Sequence, residues 1–245
     1  MKKIIFYDLE TTGRSHYWDQ IIQIAAICTD ENLNVLDEMN IIGKINSFSI
    51  PDPEALLVNK IPIGNISKSN FSHYSLISEI SKKFSEWSPG VFIGYNSIRF
   101  DEEVLRNEFF KNLFDPYLTV KNNNTRVDLL DITRIANYFY PDKIKSLLNE
   151  KGSAIMKLES IANTNGIKNF TAHDAMGDTY ASLELAKLIK NKIPELWIKS
   201  ISQNNKNQLE ESIANSPFCY LEAFFGKAKL FCLSFIDFHP KYKWA

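Results

Sequence analysis

The segment IIFYDLETTG, residues 4–13, reads as a strand that leaves a hydrophobic core with two acids at its end. Side chains of a strand alternate between faces, so Asp8 and Glu10 share one face while Tyr7 and Leu9 point to the other. Two negative charges therefore stand side by side just before the turn-like TTG. Taken alone they have a plain explanation, because carboxylates are mostly exposed and a strand end is where water begins.

Outward from this segment, KIIFYDL (3–9), IIQIAAICT (21–29) and VLDEMNIIGKI (35–45) are three apolar runs separated by polar or turn-like residues, which spells an antiparallel meander. A proline-bearing loop is expected over 51–62. SHYSLISEISKKFSEW (72–87) spaces its apolar residues by three and four behind Ser72, a candidate N-cap, and reads as an amphipathic helix. VFIGYN (91–96) reads as a short buried strand, and DEEVLRNEFFKNLF (101–114) as a helix, acidic at its start and basic toward its end, as the helix dipole favours. The polar NNNT (122–125) is expected to be exposed. Helical periodicity returns over 128–140, 157–167 (stopped near Gly166) and 174–191. Strands first, then helices interleaved with further strands, indicate an α/β fold, a mixed sheet with helices packed on it.

Near residue 200 the composition changes. SISQNNKNQ (200–208) is polar, LEESIA (209–214) is a short helix candidate, and 218–238 is aromatic and β-like, as in a hairpin turning at Gly226. A lone hairpin is marginally stable. Residues 1–200 are thus expected to form one domain, and 201–245 a linker with an incomplete second β domain, or a tail docked on the first.

The 245 residues, 44% of them hydrophobic, suffice for a sizeable core. Too few apolar residues precede Asp8 for a signal segment, and no run approaches the length needed to span a bilayer, so a cytoplasmic protein that does not engage membranes is expected. Cys28, Cys219 and Cys232 lie far apart, and Cys28 falls in an apolar strand pattern, the ordinary setting of a reduced core thiol. With 28 basic against 29 acidic residues, any binding of nucleic acid has to come from a local basic surface.

Two further segments bear chemistry. GYNSIRFDEE (94–103) puts Asp101 just after a buried strand and near a helix start, and AHDAMGD (172–178) puts His173 at a helix entrance with Asp178 in its first turns. Each residue has an ordinary role open to it: Asp101 and Asp174 suit N-caps, and a histidine at a helix mouth suits a solvated position.

In combination, DLETTG, then Asn96, Phe100 and Asp101 in N-x-x-x-F-D, then His173 and Asp178 in H-x-x-x-x-D resemble the DEDDh family of 3′→5′ exonucleases. The segments GYNSIRFDEEVLRNEFFKNLFDPY, RVDLLDITR and NGIKNFTAHDAMGDTYA look like its exonuclease I branch, which digests single-stranded DNA. The resemblance implies a ribonuclease H-like mixed five-stranded sheet flanked by helices, followed by the start of an SH3-like β domain. Members of the branch continue further, so the chain is read as truncated or as a short relative.

The resemblance also implies a site. Asp8, Glu10, Asp101 and Asp178 would hold two Mg²⁺ ions, with Mn²⁺ able to substitute. Hard divalent ions take oxygen ligands, and two carboxylates about 5 Å apart repel by roughly 3 kcal/mol at an effective dielectric near 20, so a converged cluster calls for cations. His173 would be the general base and meet the substrate, and Glu10 would also meet the terminal 3′-hydroxyl. Thr11, Thr12 and Gly13 would bring backbone to the terminal nucleotide, with Thr12 in place of an aromatic common in the branch. Arg106, Tyr117, Arg134 and Lys157 would contact DNA, Lys157 keeping the charge but not the fork of the arginine expected there. Arg106 and Arg134 equally suit solvated helix positions. Single-stranded DNA is the implied partner, single-stranded-DNA-binding protein a second one, DNA repair the setting, and a monomer the expected state. Alternatives are another DEDDh activity, RNA 3′-trimming or polymerase proofreading, and an idle nucleic-acid-binding module.

Overall fold

A computed structural model describes residues 3–168, 174–202, 206–223, 227–237 and 240–241. Three antiparallel strands, β1 (Lys3–Thr11), β2 (Ile21–Thr29) and β3 (Val35–Ile42), open the chain as a meander. Two short helices, α1 (Pro53–Asn59) and α2 (Ile63–Lys68), lead to α3 (His73–Trp87). Then come β4 (Gly90–Gly94), a 3-10 turn at Ser97–Arg99, α4 (Asp101–Lys111), β5 (Thr125–Asp128) and α5 (Leu129–Phe139). Helices α6 (Leu158–Thr164), α7 (Ala175–Lys192), α8 (Pro194–Ser202) and α9 (Lys206–Asn215) precede a separate hairpin of β6 (Phe218–Glu222) and β7 (Lys229–Leu233). The main sheet has the order β3-β2-β1-β4-β5, with β4 and β5 parallel to β1. This is the mixed five-stranded sheet expected from the sequence.

Alternation along β1 divides the core in two. Ile4 and Phe6 pack with α5, α7 and α8 on one face, through Leu129, Leu183, Ile189 and Trp197. Ile5, Tyr7 and Leu9 pack with α3 and α4 on the other, through Ile77, Phe84, Val104 and Phe109. Asp8 and Glu10 continue the face of Ile4 and Phe6, so they emerge toward α7. That helix lies close on β1 and β2 because the residues between them are small: Ala25 sits opposite Asp8 in the β1–β2 register, and α7 buries Ala175, Thr179 and Ala181. The Thr179 hydroxyl donates to its own helix at Ala175 O (2.7 Å) and lies 3.4 Å from Ala25 O.

Several expectations are corrected. The span 51–62 is not only loop: Asp52 caps α1 by accepting from the Glu54 amide, and Pro53 sits in the first turn, where its missing N–H costs nothing. NNNT is not wholly exposed, since Asn124 is buried, accepting from the Gly90 amide (2.8 Å) and donating to Leu118 O (2.7 Å). Thr125 begins a strand that the helical reading of 128–140 had left out. Strand β4 stops at Gly94, where a Cβ would lie 2.5 Å from the Ser97 side chain and 3.0 Å from Tyr7 O. Helix α8 runs through residue 200 with Trp197 in the core. Cys28 is a buried free thiol, raised by burial to a pKa of about 11. The expected turn at Gly226 lies outside the described residues. Among those residues, no helix is long and apolar enough to cross a membrane.

Candidate active site

Three carboxylates converge where β1 ends. Asp8 and Glu10 project from β1 and Asp178 from the first turn of α7, each offering an oxygen within 4.8 Å of the others. Asp174 caps α7 through the Gly177 amide (3.3 Å) and so fixes the turn that carries Asp178. Asp101 enters from the other side as the first residue of α4. The pairing of β1 with β4 ends at Phe6, and Asp101 Oδ1 takes the amide of Leu9 at 3.2 Å, between the two acids of the strand. Asp101 is therefore buried against β1 rather than acting as a helix N-cap, and Phe100 holds the cap position without a side-chain bond.

Burial and mutual repulsion hold these acids toward their protonated forms. Asp8 is raised well above the usual carboxylate range, first by burial and then by the charges of Asp101, Glu10 and Asp178. Glu10 is pushed up to about 8, first by burial and then by Asp178 and Asp101. Asp101 is also raised by burial, against the stabilising effect of the backbone amides it faces. At 4.8 Å a pair of carboxylates repels by roughly 3 kcal/mol at an effective dielectric near 20. An all-oxygen donor set with this excess of negative charge fits a hard divalent cation such as Mg²⁺ or Mn²⁺.

The cluster rests on a buried polar scaffold. Glu102, beside Asp101, accepts from Tyr7 OH (2.5 Å), Thr119 Oγ1 (2.8 Å) and Arg126 (3.2 Å), linking β1, α4, β5 and the segment that carries Tyr117. Asp128 ends β5, caps α5 through the Leu130 amide and accepts from the amides of Asn96 (2.8 Å) and Ile98 (3.3 Å). It thereby shapes the turn leading to Asp101, where Asn96 adopts a left-handed φ of 63°. Gln23, opposite Glu10 on β2, donates to Asn40 Oδ1 and Asp174 Oδ1. Sequence reasoning passed over Glu102 and Gln23. A polar residue inside the apolar run IIQIAAICT was the signal for Gln23, while Glu102 reads as an ordinary first-turn acid.

The expected DNA contacts fall into two groups. Arg134 and Lys157 line a cleft of about 470 Å³ together with Tyr95, Asn96 and Asp178, so these two cations border the acid cluster. Arg134 is paired with Asp131 at 2.9 Å. Arg106 and Tyr117 lie together, the guanidinium 5.6 Å from the ring centroid and bridged to Glu103 at 3.1 Å, with Lys121 over the same ring at 5.2 Å.

Thr11, Thr12 and Gly13 form a tightly bonded corner. Thr11 Oγ1 donates to Gly13 O, Thr12 Oγ1 donates to Asp19 Oδ1, and Asn59 and the Asp52 amide bond the carbonyls of Thr11 and Thr12. The threonine side chains are buried, and their hydroxyls and carbonyls are engaged within the chain. His173 lies outside the described residues.

Comparison with known proteins places this arrangement. An exonuclease family model, that of RNase T, matches residues 5–186. Exodeoxyribonuclease I of Buchnera aphidicola subsp. Schizaphis graminum is 36% identical over 227 residues, covering 91% of this chain and 47% of that protein. The crystal structure of Escherichia coli exonuclease I in complex with a dT13 oligonucleotide superposes with a TM-score of 0.89 at 29% identity, covering 99% of this chain and 54% of that one. A zinc-bound form of the same enzyme with single-stranded DNA gives 0.88 at 29% identity, covering 99% and 53%. The chain thus spans about half the length of the relatives it matches. With the family model covering most of its length, the chain belongs to the RNase T-type exonuclease family, on its exonuclease I branch.

Proposed function

We propose that this chain removes nucleotides one at a time from the 3′ end of single-stranded DNA, releasing 5′-monophosphates. One observation carries the reading: Asp8, Glu10 and Asp178 share a 4.8 Å cluster beside a cleft lined by Arg134 and Lys157. An acid cluster beside a cleft that carries two cations suits hydrolysis at a polyanion's terminus.

In this reading Asp8, Glu10, Asp101 and Asp178 hold two divalent cations, Mg²⁺ or Mn²⁺. When bound, the cations supply activation of the attacking water and neutralisation of charge at the departing 3′-oxygen. His173 accepts the proton of that water at an imidazole nitrogen, a task suited to a group that titrates near neutral pH. Glu10 accepts the terminal 3′-hydroxyl and orients the last nucleotide. Arg134 and Lys157 contact phosphates, which positions the strand without reading its sequence. Tyr117, held against Arg106, stacks on an upstream base, and the backbone of Thr11, Thr12 and Gly13 comes close to the terminal nucleotide. The net charge of −1 is no obstacle, because attraction comes from these local cations.

Further expectations follow from the same reading: a monomer in the cytoplasm working in DNA repair, a contact with single-stranded-DNA-binding protein, and residues 201–245 as the beginning of an SH3-like β domain after residues 1–200. The test is a pair of oligomers of one sequence, DNA and RNA, labelled and incubated with Mg²⁺. Stepwise release of mononucleotides from the 3′ end of the DNA, and slower loss of the RNA, is the expected result. RNA lost as fast as DNA would overturn the substrate assignment. Equal, negligible turnover in wild type and Asp178→Ala would leave only a binding module.

A further inference from the structure

We infer that Trp18, with its neighbour Tyr17, is a stacking platform for the unpaired nucleobases next to the end being cleaved. The inference rests on the exonuclease reading above and adds a substrate-binding element to it. Trp18 is 87% exposed and Tyr17 69% exposed, on the loop between β1 and β2. Exposed aromatics scattered on a surface need no explanation. These two differ in being adjacent and in sitting on a loop that is held in shape. Asp19, the next residue, accepts from Thr12 Oγ1 at 2.8 Å and from the Ser15 amide at 2.8 Å, and the Ser15 hydroxyl accepts from the Trp18 amide at 3.3 Å. The Asp19 amide also bonds Ser15 O at 3.0 Å.

The loop is anchored to the two elements that deliver the acids. Its start follows Glu10 directly, through the buried corner Thr11–Gly13. Its middle rests on Phe100, whose ring lies 5.3 Å from that of His16 and which immediately precedes Asp101. Trp18 and Tyr17 therefore sit on a loop bounded by the residues that flank Glu10 and Asp101. Thr12, nearer the acids, is buried and offers no stacking surface. Arg14, exposed on the same loop, adds a cation to it.

Unpaired bases present π-faces that an aromatic takes up without regard to sequence, which suits an enzyme that must accept each nucleotide in turn. A flat ring on a pinned loop binds with little entropy left to lose. The loop's ties to Thr12 and Phe100, next to Glu10 and Asp101, favour nucleobases over a protein as the occupant.

The test measures equilibrium binding of a fluorescein-labelled dT oligomer to the whole chain in Ca²⁺, which needs no turnover, alongside cleavage in Mg²⁺. Trp18→Ala should weaken binding of the oligomer by roughly 5- to 150-fold, the range of stacking on one base. The loss should shrink below about 2-fold on an oligomer whose terminal nucleotides are abasic, and Trp18→Phe should recover most of the affinity, by the same sequence-tolerant stacking. Thermal melting should be unchanged, since the side chain is exposed. Undiminished binding by Trp18→Ala in a chain that cleaves DNA would overturn the inference alone. So would an equal loss on the abasic oligomer, which would reassign the rings to the sugar-phosphate backbone or to folding. A wild type that binds the oligomer, loses affinity on Trp18→Ala and yet cleaves nothing would overturn the proposed function and leave the platform standing. A wild type that neither binds nor cleaves would overturn both.

Discussion

The acid cluster and the Gly13–Gln20 loop stand side by side at the end of β1, yet they are built in different ways. Each acid of the site is placed by a regular element: in the cluster, Asp8 and Glu10 by strand alternation and Asp178 by a helix turn, and beside it Asp101 by a helix start tied to the Leu9 amide. The loop is placed by side chains that bond backbone and each other, chiefly Asp19 with Thr12 and Ser15. Regular elements tolerate mutual repulsion, because a packed core holds the carboxylates together whether or not they favour it. The loop has less support: beyond the contact of His16 with Phe100, its shape depends on a few hydrogen bonds worth about 1 kcal/mol each.

Substitutions should separate the two regions. The largest effect is expected from Asp178→Asn, which keeps the shape but removes a charge from the cluster. Turnover on labelled single-stranded DNA should fall on the order of 10²–10³-fold or more, by analogy with loss of one electrostatic stabiliser, while the cation-free chain should melt higher because repulsion is relieved. A lower melting temperature would mean that the acids attract one another through unrecognised protons or bonds. His173→Ala should lose roughly 10²–10⁴-fold in turnover and keep its Mn²⁺ affinity; an affinity loss as large as that of Asp8→Ala would make it a ligand instead.

Breaking the scaffold should act through stability. Glu102→Ala leaves Tyr7 OH, Thr119 and Arg126 without their shared acceptor and should cost about 3 kcal/mol, read as a fall in denaturation midpoint. A second change in stability should follow pH. Glu10 has a folded pKa of about 8 against 4.5 for an ordinary glutamate, so between these values the folded chain binds a proton that the unfolded chain has released. Stability of the cation-free chain should therefore be complete below the lower value, decline as pH rises through the window and level off above about 8. Saturating Mg²⁺ should flatten the decline; a melting temperature that rises with pH across the window would contradict it.

The smallest effect concerns the loop. A Cβ on Gly13 would lie 2.5 Å from the Asp19 carboxylate, so Gly13→Ala should cost about 1–2 kcal/mol by overpacking. Asp19→Ala should cost a similar amount through its lost bonds. The double variant should cost clearly less than the sum, because removing the carboxylate vacates the space that the methyl needs. Simple additivity would show that Asp19 does not fix the corner.

What could be read from the sequence follows the same division. The facing of Asp8 and Glu10 is a consequence of period two, and the meander, α3 and α7 follow from apolar spacing. The convergence of Asp101 and Asp178 on them has no periodic signature, since it depends on strand order and on small residues such as Ala25 letting α7 close on the sheet; it was expected only through family resemblance. Strand β5 escaped notice because four residues, TRVD, sit between an asparagine run and a helix whose stronger pattern absorbs them. Asn124 reads as surface because two of its partners, Ser88 and Gly90, lie far from it in the chain. The helix α1 was legible in principle, since Asp52, Pro53 and Glu54 form a helix-start pattern, but two prolines in three residues argued for a loop. Thr12 reads as part of a turn, and its bonds to Asp19 and to the Gln20 amide turn its hydroxyl inward.

The measurement closest to the central proposition is a calorimetric titration of the whole chain with Mn²⁺ at pH 7 in two buffers of different ionisation enthalpy. Crowded acids that retain protons until a cation arrives predict binding accompanied by proton release, with the release shrinking toward pH 9 and the affinity collapsing in Asp8→Asn. Absence of binding, or binding with no proton released and no dependence on Asp8, would contradict it.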